Sequence, residues 1–206
     1  YHPDHVGGSF GGNSIEGLAQ LMAKRGVKAY VHKTEAEGVR KVTGLSESDL
    51  ARVESGDRLA IGDVEVEFLH TPGHTPGSQC FRIRNTLVSG DTLFINGCGR
   101  VDLPGSDPEA MYHSLRHLCS LPDDTLLLPG HNYAHVPNAT MGETKSQNTY
   151  LNIRDLDTWR RTQAQTWAAS RWCRPSRPGT TPPSAPTPAC GRFPSSSTAW
   201  CGASTS

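Results

Sequence analysis

Residues 57 to 69 set the strongest limit on what this chain can fold into. Asp57 to Ile61 and Val64-Glu65-Val66-Glu67-Phe68-Leu69 alternate apolar and charged side chains on either side of Gly62-Asp63. Successive strand residues point to opposite faces, so the alternation predicts a β-hairpin with one buried face and one wet one. Gln79 to Arg84 and Thr86 to Ser89 predict a second pair of strands around Asn85. Thr125 to Leu128 predicts a last, fully apolar strand ending at Pro129-Gly130-His131. Elsewhere the period lengthens. Ile15, Leu18, Ala19 and Met22 share one helical face, behind a cap at Asn13 or Ser14 and ahead of a stop at Gly26. Lys28 to His32 reads as a short strand, and Ser46 to Asp49 as a helix start with Leu50 and Val53 as its buried positions. Asp107 caps a helix that runs to Cys119, with Pro108 in its first turn and Met111, Leu115 and Leu118 as its stripe. Strands mixed with helices and joined by polar loops predict an α/β or α+β domain built on a sandwiched sheet.

Composition divides the chain in two. No Asp or Glu follows Asp157, and seven of the 15 prolines crowd into Pro175 to Pro194. We expect a globular domain over residues 1–158 and a disordered Pro/Ser/Arg-rich tail over residues 159–206. A tail of that kind buries too little apolar surface to offset its ordering entropy. The 20 Lys+Arg balance the 20 Asp+Glu, which argues against a strongly basic nucleic-acid binder. No run approaches the ~18 apolar residues of a membrane span, so no membrane partner is expected. The chain opens at Tyr1 without a signal peptide, and its six cysteines show no C-x-x-C spacing. A reducing, cytoplasmic setting is therefore expected.

The histidines are placed unevenly. His2, Asp4 and His5 lie in HPDHVGG, His74 in TPGHTPGS, Asp91 in SGDTLF and His131 in PGHNY. The last three each stand just past a predicted strand, where side chains are fixed rigidly yet remain open to a ligand. Imidazole and carboxylate together are ligands of divalent metals such as zinc, iron and manganese. Such clusters, with a carboxylate able to bridge, suit two cations that ionise a water between them for attack on an acyl carbon. His113 and His117 share the i, i+4 spacing of a helical metal pair, but no Glu follows His113. They read as surface histidines.

The order and wording of these motifs resemble the metallo-β-lactamase superfamily, and within it the glyoxalase II-like branch. That family carries H-x-H-x-D-H, then G-H-T-x-G, then G-D, then G-H. Here stand His2-Pro3-Asp4-His5, Gly73-His74-Thr75-Pro76-Gly77, Gly90-Asp91 and Gly130-His131. The resemblance implies an αββα sandwich and two divalent metal ions, zinc first, with iron or manganese as alternatives. It assigns His2 and His74 to the first metal, Asp4, His5 and His131 to the second, and Asp91 to both as the bridge. The implied reaction is hydrolysis of a thioester or related acyl compound by a metal-held hydroxide, which Asp4 also helps to orient. The first histidine of H-x-H-x-D-H would stand before Tyr1, as would several strands of the sandwich. The chain is accordingly expected to be an N-terminally truncated fragment.

The family also suggests where substrate lies. Gly97-Cys98-Gly99-Arg100 matches a G-C-G-[KR] segment whose basic residue helps to bind glutathione's carboxylate. Tyr133 matches a tyrosine that contacts the substrate's peptide. A small acyl or thioester substrate, glutathione-linked or otherwise, is the expected partner. The same G-C-G-R stretch also fits a mononuclear iron persulfide dioxygenase, in which His2 or its missing partner, His74 and Asp91 would form a facial triad. A metal-free, inactive fragment is a third reading. Cys98 reads as a small buried residue, because nothing beside it lowers a thiol's pKa.

Overall fold

In the computed structural model, residues 6–7, 9–10, 13–14 and 17–172 are described. Strands β1 (Ser9–Phe10) and β2 (Asn13–Ser14) form a short antiparallel pair. Helix α1 (Leu18–Arg25) follows and ends at Gly26 as expected. It begins later than the sequence suggests, because Asn13 and Ser14 pair with Phe10 and Ser9 and are not available as caps.

Strands β3 (Ala29–His32) and β4 (Leu50–Val53) pair in parallel, and helix α2 (Ala36–Thr43) supplies the crossover that parallel strands require. The helix expected from Ser46 is a single 3₁₀ turn, Glu47–Asp49, closed by a Ser46–Asp49 capping box. Leu50 and Val53 are buried as anticipated, but on a strand, where their partners are Ala29 and His32. Met22, Ala29, Val31, Ala36, Val39 and Leu50 form the core of this half.

The period-two pattern yields the expected strands, but the apolar face of the first hairpin stays open at its turn, where Ile61 is 60 % exposed. Strands β5 (Arg58–Ile61) and β6 (Val64–His70) make the expected hairpin, with Ile61 opposite Val64. Strands β7 (Gln79–Ile83) and β8 (Thr86–Gly90) turn at Asn85 and extend the sheet. A small hairpin, β9 (Leu93–Phe94) and β10 (Gly97–Cys98), precedes helix α3 (Pro108–Cys119). Asp107 caps α3 by accepting from Glu109 N and Ala110 N. Strand β11 (Leu126–Pro129) returns parallel to β8, and β12 (Ala139–Thr140) closes the edge. The six-stranded order is β12-β11-β8-β7-β6-β5.

The two faces of this sheet meet different neighbours. Leu69, Leu87 and Leu127 pack with Met111, Leu115 and Leu118 of α3 in the larger core. Phe68, one residue from Leu69 and hence on the other face, stacks on Tyr30 of β3 at 6.1 Å. Helices thus cover the outer faces of two facing sheets. A cleft of about 510 Å³ runs between the sheets, lined by Tyr30, Leu59, Ile61, Phe68 and Phe81, and reaches Asp91.

Helix α4 (Met141–Gln147) leads to α5 (Leu156–Trp172), which crosses the boundary expected at residue 158. Trp159 is 0 % exposed and donates its indole N–H to the Pro108 carbonyl at 2.7 Å. Leu156, Trp159 and Gln163 recur at helical spacing and pack inward, although the acidic residues have run out. The expected tail beyond Trp172 lies outside the described residues.

Candidate metal centre

The centre is built on the parallel pair. Asp91 follows the end of β8, and His131 stands two residues past the end of β11. Gly130 N–H donates to Gly90 O at 2.9 Å and ties the two strand ends together. His74 arrives on the loop between β6 and β7. That loop is closed at its base by Thr71 N–H to Ser78 O, and held from α3 by Ser114 Oγ donating to Pro72 O and Asp107 N–H to Gly73 O.

These three expected ligands come together. His131 Nε2 lies 3.2 Å from Asp91 Oδ1, and His74 Nε2 lies 3.8 Å from Asp91 Oδ2. Each carboxylate oxygen therefore faces a different imidazole. His74 and Asp91 are buried, while His131 keeps 42 % of its side chain exposed at the mouth. Among the described residues no group of three or more His, Cys, Asp or Glu side chains surrounds one ion position. The arrangement is two nitrogens divided over one carboxylate. His2, Asp4 and His5 lie outside the described residues.

The hydrogen bonding of His74 tests whether a cation fits. Its Nδ1 lies 2.9 Å from the main-chain oxygen of Arg100. A carbonyl only accepts, so Nδ1 carries the hydrogen, and Nε2, on the Asp91 side, is the ring nitrogen able to ligate a cation. An imidazole nitrogen and a carboxylate turned toward one point are the donor types that a divalent cation takes, and the carbonyl behind Nδ1 is the usual partner of a ligating histidine. The residues fit a metal.

Packing fixes the carboxylate's place. Gly99 and Gly130 both press against residue 91: a Cβ at 99 would overlap the Asp91 carbonyl, and one at 130 would stand 2.9 Å from Oδ1. Beneath the site, Thr71 and Thr92 share a hydroxyl–hydroxyl bond of 2.9 Å that joins the His74 loop to the Asp91 turn. Asn148 donates to Phe94 O and Gly97 O and braces the β9–β10 hairpin from behind. His131 sits between two rings, stacked on Tyr133 at 5.3 Å and edge-on to Phe94 at 5.9 Å.

Of the expected substrate residues, Tyr133 lies at the mouth, exposed beside His131. The Arg100 guanidinium is exposed and held by Asp102 through two bonds of 2.8 and 2.7 Å. Burial pushes the Cys98 thiol up to about 12, which disfavours its thiolate at neutral pH. His113 and His117 lie on the exposed side of α3. Four contributors escaped the sequence reading: the Arg100 carbonyl, Gly99, the Thr71–Thr92 pair and Asn148. The first two act through main-chain geometry and carry no side-chain signal.

Comparison with known proteins places this site in a lineage. Residues 1–131 match the family described as the metallo-beta-lactamase superfamily, and the chain belongs to that superfamily of metallo-hydrolases. It is 34 % identical over 106 residues to a probable polyketide biosynthesis zinc-dependent hydrolase, BaeB, of Bacillus velezensis, covering 51 % of this chain and 47 % of that one. It is 35 % identical over 137 residues to a hydroxyacylglutathione hydrolase of Tolumonas auensis, covering 66 % and 46 %. Other hydroxyacylglutathione hydrolases match at 33–39 % identity, which supports the glyoxalase II-like branch. A solved metallo-beta-lactamase from Staphylococcus aureus superposes with a TM-score of 0.65 at 25 % identity, over 80 % of this chain and 51 % of that one. The chain spans about half the length of the curated relatives it matches.

Proposed function

We propose that this chain is the catalytic part of a two-metal thioester hydrolase whose substrate is a small acyl compound, with a glutathione thioester as the leading candidate. One observation carries the reading: the two oxygens of Asp91 each face a different imidazole, His131 at 3.2 Å and His74 at 3.8 Å. A carboxylate divided in this way suits a bridge between two cations better than a ligand to one.

His2 and His74 would hold the first cation, Asp4, His5 and His131 the second, and Asp91 both. Zinc is the first choice, supported by the zinc-dependent relative. Divalent cations held there would bring the ionisation of water close to neutral pH and would polarise an acyl carbonyl. The chain's own residues do the rest. Arg100's carbonyl keeps the His74 ring in one tautomer and one orientation. Asp91, buried and confined by Gly99 and Gly130, keeps its charge fixed in place and needs no reorganisation during the reaction. Tyr133 and the Arg100 guanidinium are both exposed and would contact a carboxylate-bearing thiol carrier. A thiolate leaves readily at neutral pH, so no strong protein acid is required. The glutathione-linked substrate is supported by the hydroxyacylglutathione hydrolase relatives.

The test is zinc content and glutathione-thioester hydrolysis of the purified chain beside Asp91→Ala. Two zinc ions per chain and turnover in the parent are expected, with hydrolysis abolished and both sites depleted in the variant. Two retained metals and undiminished turnover in Asp91→Ala would overturn the bridge.

A further inference from the structure

We propose that Glu35 and His70 are positioning residues for the His74 loop, gripping the Pro76–Gly77 peptide group at both of its polar ends; this rests on the reading of His74 as a metal ligand. The His70 ring nitrogen Nε2 lies 2.8 Å from Pro76 O. A carbonyl only accepts, so this nitrogen is the donor. On the other side of the same peptide, Gly77 N–H donates to Glu35 Oε1 at 2.7 Å. The peptide is planar, and its C=O and N–H point in opposite directions. Two bonds at its two ends therefore fix the orientation of the whole plane, two residues beyond His74.

The grip comes from separate parts of the fold. His70 ends β6 in the six-stranded sheet, whereas Glu35 stands at the corner between β3 and α2 in the smaller one. Both anchors are themselves fixed. Glu35 is buried, and the Thr34 hydroxyl beside it also borders Gly77. His32 stacks on His70 with ring centroids 4.0 Å apart and planes 10° apart. Its Nδ1 accepts from the Thr34 amide at 3.4 Å and is bonded to the Thr34 hydroxyl at 2.8 Å.

The chemistry suits positioning. A carboxylate accepting a backbone N–H makes one of the stronger hydrogen bonds available to a loop. Placed within the ligand loop, the bond limits how far His74 can swing about the loop's base. Groups behind the ligands of metal sites commonly change metal affinity by about 10–100-fold when removed.

Cobalt(II) reports this directly, through its affinity and its visible absorption, without any need for turnover. The chain would be titrated with Co²⁺ as the parent and as Glu35→Ala, Glu35→Gln and His70→Phe. Glu35→Ala is expected to weaken binding by at least about tenfold and to alter the visible band. Glu35→Gln should rescue most of the loss, because its amide oxygen accepts the same N–H. His70→Phe keeps a ring for His32 to stack on but has no donor, and should also weaken binding. Should Glu35→Ala fail to fold, His70→Phe and Glu35→Gln still decide the matter. Parent-like affinity and spectrum in either Glu35→Ala or His70→Phe would overturn the positioning role, as would a Glu35→Gln variant that binds Co²⁺ at least about tenfold more weakly than the parent. A parent chain that binds no Co²⁺ would instead overturn the metal reading beneath it.

Discussion

Gly130 lies so close to Asp91 that a Cβ on it would stand 2.9 Å from the carboxylate's Oδ1. The added methyl in Gly130→Ala therefore displaces the oxygen that faces His131. Metal affinity should fall by about 10–100-fold, while overpacking costs about 1–3 kcal/mol of stability. Zinc titration beside a thermal melt separates the two effects. An alanine variant with parental zinc affinity would show that the carboxylate has room to spare.

Arg100 touches the centre in two unlike ways. Its main-chain oxygen holds His74, and its side chain lies outside, paired with Asp102. Arg100→Ala preserves the first and removes the second. Zinc content should stay at the parental level, while KM for a glutathione thioester rises roughly tenfold, the worth of about 1.5 kcal/mol for a hydrogen bond to a charged group. A fall in zinc content with KM unchanged would place the side chain with the metal and not with the substrate.

Trp159 tests where the folded part ends. It lies past the expected domain boundary, fully buried against Tyr112 and Tyr150, with its N–H on the Pro108 carbonyl. Trp159→Ala should lower the unfolding free energy by about 3–5 kcal/mol, measured by urea denaturation. A change below about 1 kcal/mol would mean that α5 is dispensable to the core.

His32 predicts how stability responds to acid. Burial first, and then the neighbouring charge of His70, holds its pKa below the usual histidine value of 6.5. Above that value both folded and unfolded chains carry His32 neutral, and its contribution is fully present. As pH falls through about 6.5 the unfolded chain takes up a proton that the folded one refuses. Stability then declines until the lowered folded pKa is reached. Urea unfolding at pH 7.5 and at pH 5.5 should show this loss in the parent and a smaller loss in His32→Gln. Equal losses in both would remove His32 as the cause.

Much of this was legible in the chain itself, for reasons tied to particular residues. The hairpin over residues 57–69 follows from period-two alternation, and α3 from Asp107, Pro108 and an unbroken apolar stripe. Asp91 and His131 were findable because each follows an apolar strand and stands beside a glycine. Leu50 and Val53 misled because a spacing of three suits one helical face as well as the two buried ends of a short strand, and the parallel partner that decides between them lies some twenty residues away. Glu35 gave no signal, since its value depends on a contact across 42 residues. The Arg100 carbonyl could not be read at all, because every residue except its geometry offers the same group.

The ladder between β8 and β11 keeps strict step from Thr86 and Leu126 to Val88 and Leu128, then omits Ser89 and sets Pro129 beside Gly90. The sheet acts here as a ruler with one tooth missing, and the gap offsets the turn that carries Asp91 from the turn that carries His131. Because alternate strand residues face opposite ways, removing or adding a single residue in β8 would turn Asp91 away from the centre, and the same change in β11 would turn His131 away. Evolution can exchange side chains around this centre one at a time, but changing the length of either strand demands a matching change in the other.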